Sequence, residues 1–180
     1  MGHLTKKVLF DERAIAARVA EIGREISTKY PEGNVLLIGI LKGAFMFMAD
    51  LVRSISVSCQ VDFVRISSYK DATVSSGKLD ILLDVGMSVE NRNVILVDDI
   101  VDSGLTLSEY KKKLLERKPR TLELAALVNK TGRREKHVDL DYCGFKIEEG
   151  FIVGYGLDCD EQDRCHGSLY VLEDDDSTNG

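Results

Sequence analysis

The chain has 180 residues, 44% hydrophobic and 30% charged, with a net charge of −6. That length and balance suit one globular domain with a sizeable core, and the acidic excess argues against nucleic acid, whose binding rests on a broad basic surface. No apolar run approaches the roughly 20 residues of a membrane span, and the amino terminus lacks a signal-peptide pattern, so a cytoplasmic protein is expected.

Taken in chain order, Ile15, Val19, Ile22 and Ile26 predict an amphipathic helix from Asp11 to about Lys29, ended by Tyr30-Pro31-Glu32-Gly33. Val35 to Ile40 reads as a buried strand, Gly43 onward as a helix, and Val61 to Ser67 as another strand. Ser68 to Lys78 is a polar connection long enough to act as a lid. Val94-Ile95-Leu96-Val97 has no alternation, as in a strand buried on both faces of a parallel sheet. A helix beginning near Thr106 ends near Pro119, and Leu122 to Val128 is a further strand.

This β/α alternation predicts an α/β fold, a central mainly parallel sheet flanked by helices. Tyr142 to Ile147, Phe151 to Val153 and Leu169 to Leu172 lack long helices between them. With the N-terminal segment they are expected to build a small cap from about residues 142–172. A single domain over 1–180 is expected, with Glu173 to Gly180 a solvated, disordered tail.

The chemistry concentrates after the apolar run. Asp98 and Asp99 would sit at the carboxyl end of a central strand, where open α/β sheets bind ligands. Ser103, Gly104 and Thr106 would form a turn whose backbone amides, hydroxyls and helix N-terminus can hold a phosphate. Carboxylates do not themselves favour an anion, so they must contact sugar hydroxyls, a divalent cation or a developing positive charge. A phosphorylated sugar satisfies all three. The cysteines, Cys59, Cys143, Cys159 and Cys165, show no Cys-x-x-Cys spacing and are read as reduced thiols.

The segment Val94 to Leu107 resembles the phosphoribosyl pyrophosphate (PRPP) motif of the type I phosphoribosyltransferases. Three further segments resemble the hypoxanthine-guanine branch of that family. They are Ile40-Leu41-Lys42-Gly43 with Phe45 to Asp50, Ser68-Tyr69, and Asn129-Lys130 with Phe151 to Asp158. The resemblance covers nearly the whole chain. It implies the type I phosphoribosyltransferase fold with its hood, purine salvage activity, and PRPP and a 6-oxopurine base as substrates. It also implies Mg²⁺ as cofactor and a homodimer or homotetramer.

Residue by residue, the resemblance gives Asp98 and Asp99 the ribose hydroxyls and gives Asp102 the proton at purine N7. Ser103, Gly104, Leu105 and Thr106 take the 5′-phosphate, and Leu41, Lys42, Gly43 and Arg164 the pyrophosphate. Lys130 reads the exocyclic O6, Phe151 stacks on the base, and Ile152 offers backbone groups to its edge. Asp158 helps hold Mg²⁺ beside the purine site, with Asp98 and Asp99 as further metal candidates. Ser68 and Tyr69 open the lid, and relatives have a cis peptide before the lysine that matches Lys42.

Some positions depart from the family pattern. Leu105 stands where many relatives carry a polar or basic residue, Cys159 and Asp163 replace aromatic or neutral ones, and Cys165-His166-Gly167 replaces an Asn-Leu-Pro-like turn. The alternatives are a phosphoribosyltransferase for xanthine or another base, and a non-catalytic PRPP-sensing regulator. Such a regulator is expected to carry a basic face or an added nucleic-acid domain.

Overall fold

The structure is a computed structural model that describes residues 4–67 and 79–174. In chain order its elements are β1 (Leu4–Phe10), α1 (Glu12–Lys29), β2 (Val35–Leu41), α2 (Phe45–Ser54), β3 (Cys59–Ser67) and β4 (Asp80–Leu83). Then come β5 (Asn93–Val101), α3 (Leu105–Glu116), β6 (Thr121–Lys130), β7 (Tyr142–Ile147), β8 (Phe151–Val153) and β9 (Leu169–Asp174). The main sheet has the order β4-β3-β2-β5-β6-β7, parallel throughout except for the β3–β4 pair.

The unbroken apolar runs of β2 and β5 follow from burial on both faces. Val35, Leu37, Ile95 and Val97 pack with α1, α2 and cap residues Ile152, Leu157 and Leu169. Their neighbours Leu36, Ile38, Val94 and Leu96 pack on the other face against Leu107, Tyr110 and Leu114 of α3. Asp11 caps α1 by accepting the Ala14 N–H at 2.8 Å, a contact worth about 1 kcal/mol. Ile15, Val19, Ile22 and Ile26 are the buried stripe of α1, matching the periodicity.

The cap is a three-stranded antiparallel sheet, β1-β9-β8. Tyr142–Ile147 does not belong to it, contrary to the expected bounds of 142–172. It extends the main sheet beside β6, from Ala125↔Tyr142 to Lys130↔Ile147. The crossover needs no helix because its loop supplies its own anchors. Val138 is buried in the α3-side core, and Asp141 exchanges bonds with Leu124, through its carboxylate at 2.9 Å and its N–H at 3.0 Å. On the outer edge, Arg18 of α1 donates twice to the Cys143 carbonyl, covering a strand edge that would otherwise pair with another chain.

Glu173 and Asp174 also differ from expectation. They continue the β1–β9 ladder, opposite Thr5 and Leu4, because backbone pairing tolerates polar side chains where β9 runs past the end of β8. The rest of the expected tail, residues 175–180, lies outside the described residues, as does the expected lid over 68–78. No helix among the described residues is long and apolar enough to cross a membrane.

Candidate active site

The cleft arises where β2 and β5 part. Their pairing runs from Val35↔Asn93 only to Gly39↔Val97. Beyond it Ile40 and Leu41 stay with β3, while Asp98, Ile100 and Val101 stay with β6. The chain leaves β2 in one direction and β5 in the other, so the gap is the topological switch point at which open α/β sheets bind ligands.

Three segments meet in this gap with no room for extra atoms. The Leu41–Lys42 peptide is cis, and Gly43 follows against Asp99, where an added Cβ would lie 1.7 Å from Oδ2. Gly156, at φ +102, touches Gly43 in turn: a Cβ there would fall 2.1 Å from the Gly43 carbonyl oxygen.

Asp98 and Asp99 lie within the last stretch of β5. Oδ1 of Asp98 accepts the Asp99 N–H at 3.0 Å. Desolvation, reinforced by the neighbouring Asp99 charge, pushes Asp98 well above the usual carboxylate range. Desolvation raises Asp99 too, against hydrogen bonds and the Arg164 charge. A pair this poorly solvated is suited to hydroxyl donors or a cation.

The following turn gathers amides. Gly104 is the N-cap of α3 at φ +80, and a Cβ there would meet the Lys136 carbonyl oxygen at 2.5 Å, so the position demands glycine twice over. The N–H groups of Glu135 and Lys136 both donate to the Ser103 carbonyl at 3.0 Å, fixing the turn. Asp98, Asp102, Ser103, Gly104 and Thr106 line a cavity of about 150 Å³ at the helix N-terminus, a place suited to an anion. The Leu105 side chain is exposed. Its N–H remains in the turn, 3.4 Å from Ser103 Oγ.

A second cavity, of about 240 Å³, opens on the other side of Asp102 and is lined by Asp99, Asp102, Lys130, Phe151, Ile152 and Asp158. Lys130, at the end of β6, is buried and places Nζ 3.4 Å from Asp102 Oδ2. Oδ1 of Asp102 is buried without a hydrogen-bond partner among the described residues. Phe151 is 54% exposed, so its face is open to the cavity mouth and it is not a core residue.

Arg134 organises this corner, although the basic pair Arg133-Arg134 reads on its own equally as solvated charge, a subunit contact or support for Lys130. Its guanidinium donates to the carbonyls of Val101, Asp102 and Lys130 and to Asn129 Oδ1. One planar fork thus ties the end of β5 to the end of β6. The basic pair was the available signal. Which member turns inward depends on the fold, and Arg133 is the exposed one.

Lys42 and Arg164 come together at a third place. Arg164 donates to the Gly156 carbonyl at 2.7 Å and pairs with Asp158 at 2.8 Å. Lys42 and Arg164 both donate to Oε2 of Glu161, at 2.9 and 3.0 Å. The segment is held from below by the buried Tyr155, whose hydroxyl donates to Asp50 of α2, and at its far end by Asp163, which pairs with Lys6 and His166. Glu161 and the Tyr155–Asp50 tie were not singled out from sequence. Ser68 and Tyr69 lie outside the described residues.

No cluster of three or more His, Cys, Asp or Glu that could hold a metal is found among the described residues. Asp99 and Asp158 nonetheless present hard oxygen donors to one cavity. That fits Mg²⁺, which takes one or two carboxylates and completes its shell with water and phosphate oxygens. All four cysteines are free thiols.

A switch-point cleft with an amide-rich turn beside an acid pair defines an α/β protein built to hold a phosphorylated ligand. Residues 6–160 match the family model of the phosphoribosyl transferase domain, and the chain belongs to that family. It is 41% identical over 173 residues to the hypoxanthine-guanine phosphoribosyltransferase of Bacillus subtilis, covering 96% of each chain. Against the Mycobacterium avium hypoxanthine-guanine phosphoribosyltransferase it is 45% identical over 165 residues, 88% of this chain and 81% of the relative. The crystal structure of a Bacillus anthracis hypoxanthine-guanine phosphoribosyltransferase superposes with a TM-score of 0.89 at 35% identity, over 95% of this chain and 100% of that one.

Proposed function

We propose that the chain transfers the 5-phosphoribosyl group of PRPP to hypoxanthine or guanine, giving IMP or GMP and pyrophosphate. The observation that carries this reading is the side-by-side placement of Lys130 Nζ and the Asp102 carboxylate, 3.4 Å apart, beside the open Phe151 ring. A 6-oxopurine presents an acceptor at O6 and, in its N7–H form, a donor beside it. The lysine–aspartate pair is the complement of that edge. Adenine would set an amino group against the ammonium, which has no acceptor to offer it.

In this reading Phe151 stacks on the base and Ile152 bonds its edge through backbone groups. The turn Ser103, Gly104, Leu105 and Thr106 binds the 5′-phosphate, and Asp98 and Asp99 hold the ribose hydroxyls. Leu41, Lys42, Gly43 and Arg164 receive the pyrophosphate. As the purine nitrogen bonds to ribose C1, the bond to pyrophosphate breaks, and Asp102 accepts the proton released at N7. The protein thus works mainly by position and charge. Asp158, Asp99 and Asp98 would hold Mg²⁺, which would neutralise diphosphate charge when bound. Water must be kept from the electron-poor ribosyl centre, which it would otherwise capture. A cytoplasmic homodimer or homotetramer, acting on small molecules and binding neither nucleic acid nor membrane, completes the reading.

The test offers hypoxanthine, guanine, xanthine, adenine and uracil separately with PRPP and Mg²⁺ and follows pyrophosphate release. Turnover confined to 6-oxopurines supports the reading. PRPP binding without turnover on any base favours the PRPP-sensing alternative.

A further inference from the structure

Lys42 and Arg164 are bridged by a single oxygen, Oε2 of Glu161, as an oxygen of a bound diphosphate would bridge them. Glu161 belongs to the chain itself and is 62% exposed, so nothing buries it in this position except the two cations. Their hydrogen bonds, that of Lys42 first, hold its carboxyl below the usual range.

The backbone around Glu161 is a tight hairpin. Cys159 and Gln162 exchange backbone hydrogen bonds, at 3.3 and 3.0 Å, and the two residues between them, Asp160 and Glu161, both have positive φ, 51° and 65°. A two-residue hairpin with positive φ at both centres ordinarily carries Asn-Gly or Asp-Gly. Glutamate in the glycine place is unfavourable on backbone grounds. Its side chain, reaching the two cations, and its N–H, donating to Asp158 Oδ2 at 2.9 Å, compensate locally. The ends of the segment are fixed independently, by the Gly156–Arg164 and Tyr155–His166 backbone bonds. Withdrawal of Glu161 therefore asks for a change only at the hairpin tip.

We propose that Glu161 is an internal stand-in for pyrophosphate: it holds Lys42 and Arg164 when the site is empty and must leave when a diphosphate enters. The inference rests on the reading of Lys42 and Arg164 as the pyrophosphate cations. Its consequence is a weakened grip on the leaving group, which helps product release. Ribose 5-phosphate, which carries no diphosphate, escapes the competition.

The experiment titrates magnesium pyrophosphate, and separately ribose 5-phosphate, into the full chain, Glu161→Gln and Glu161→Gly by calorimetry. The kcat and KM for PRPP are measured alongside. Glu161→Gly suits the positive φ, so it removes the carboxylate without threatening the turn. Exposed ion pairs are individually weak, so the expected change is about three- to tenfold tighter pyrophosphate binding in both variants. A lower KM for PRPP should accompany it, with ribose 5-phosphate binding unchanged. Pyrophosphate affinity that is equal or weaker in both variants overturns the proposal, since Glu161 would then be idle or supporting Arg164. Failure of the unaltered protein to turn over any base is a separate result, which removes the functional reading beneath it.

Discussion

Lys130 Nζ lies 3.4 Å from Asp102 Oδ2, across the parallel ends of β6 and β5, while Oδ1 of the same carboxylate is buried and has no partner among the described residues. Charge-assisted bonds usually close to about 2.7–2.9 Å. The pair is thus held near contact without being consumed by it, and each member keeps capacity for a ligand. Arg134 sets the separation by binding the carbonyls of both Asp102 and Lys130.

Asp102→Asn keeps the shape of the side chain and removes its basicity. The expected outcome is a fall in kcat of about 10²–10⁴-fold, with the KM for PRPP little changed. Steady-state kinetics with hypoxanthine and PRPP varied in turn check this.

Lys130→Met keeps the packing of the stem and removes the donor. A hydrogen bond from a charged group is worth about 1.5–3 kcal/mol, so kcat/KM with hypoxanthine should fall by about one to two orders of magnitude. The preference over adenine should narrow. Competition between the two bases measures both effects.

Asp98 gives a pH prediction for the ligand-free, chelator-treated protein. Its carboxyl is raised in the folded state by desolvation and by Asp99, against about 3.9 in an unfolded chain. The folded state therefore keeps a proton that the unfolded chain has already released. That stabilisation is present below the unfolded value and is lost as pH rises through the window up to the folded one. Asp98→Asn, which still accepts the Asp99 N–H, should raise Tm at pH 7, and the gain should shrink towards pH 4. Calorimetric scans at the two pH values decide it. A gain that does not depend on pH would contradict the sign.

Gly43→Ala drives a methyl to 1.7 Å from Asp99 Oδ2. Overpacking of this kind costs roughly 1–3 kcal/mol, and the displaced group is the acid pair itself. Thermal unfolding should show a moderate drop and PRPP binding a larger loss. Gly156→Ala should be worse on both counts, because φ +102 excludes the side chain as well.

The sheet was legible because β2 and β5 carry apolar residues on both faces, a pattern that reads as a central parallel strand wherever it occurs. The phosphate turn was legible for a related reason, since Gly104 and its neighbours sit next to that strand in sequence. The placement of β7 was not. Tyr142–Ile147 looks like any short strand, and only the buried Val138 and the Asp141–Leu124 bonds send its loop around the α3 face. Arg134 stayed undecided and Glu161 escaped for another reason. Each acts through contacts between segments distant in sequence, Glu161 with Lys42 and Arg134 with Asp102, and a charged residue in a polar loop carries no local mark of its partner.

The most direct measurement incubates the chain with PRPP, Mg²⁺ and hypoxanthine and quantifies nucleotide and pyrophosphate in the same sample. Phosphoribosyl transfer requires IMP and pyrophosphate to appear one for one, and not at all without the base. Pyrophosphate accompanied by ribose 5-phosphate in place of IMP, or no product from any 6-oxopurine, would contradict it.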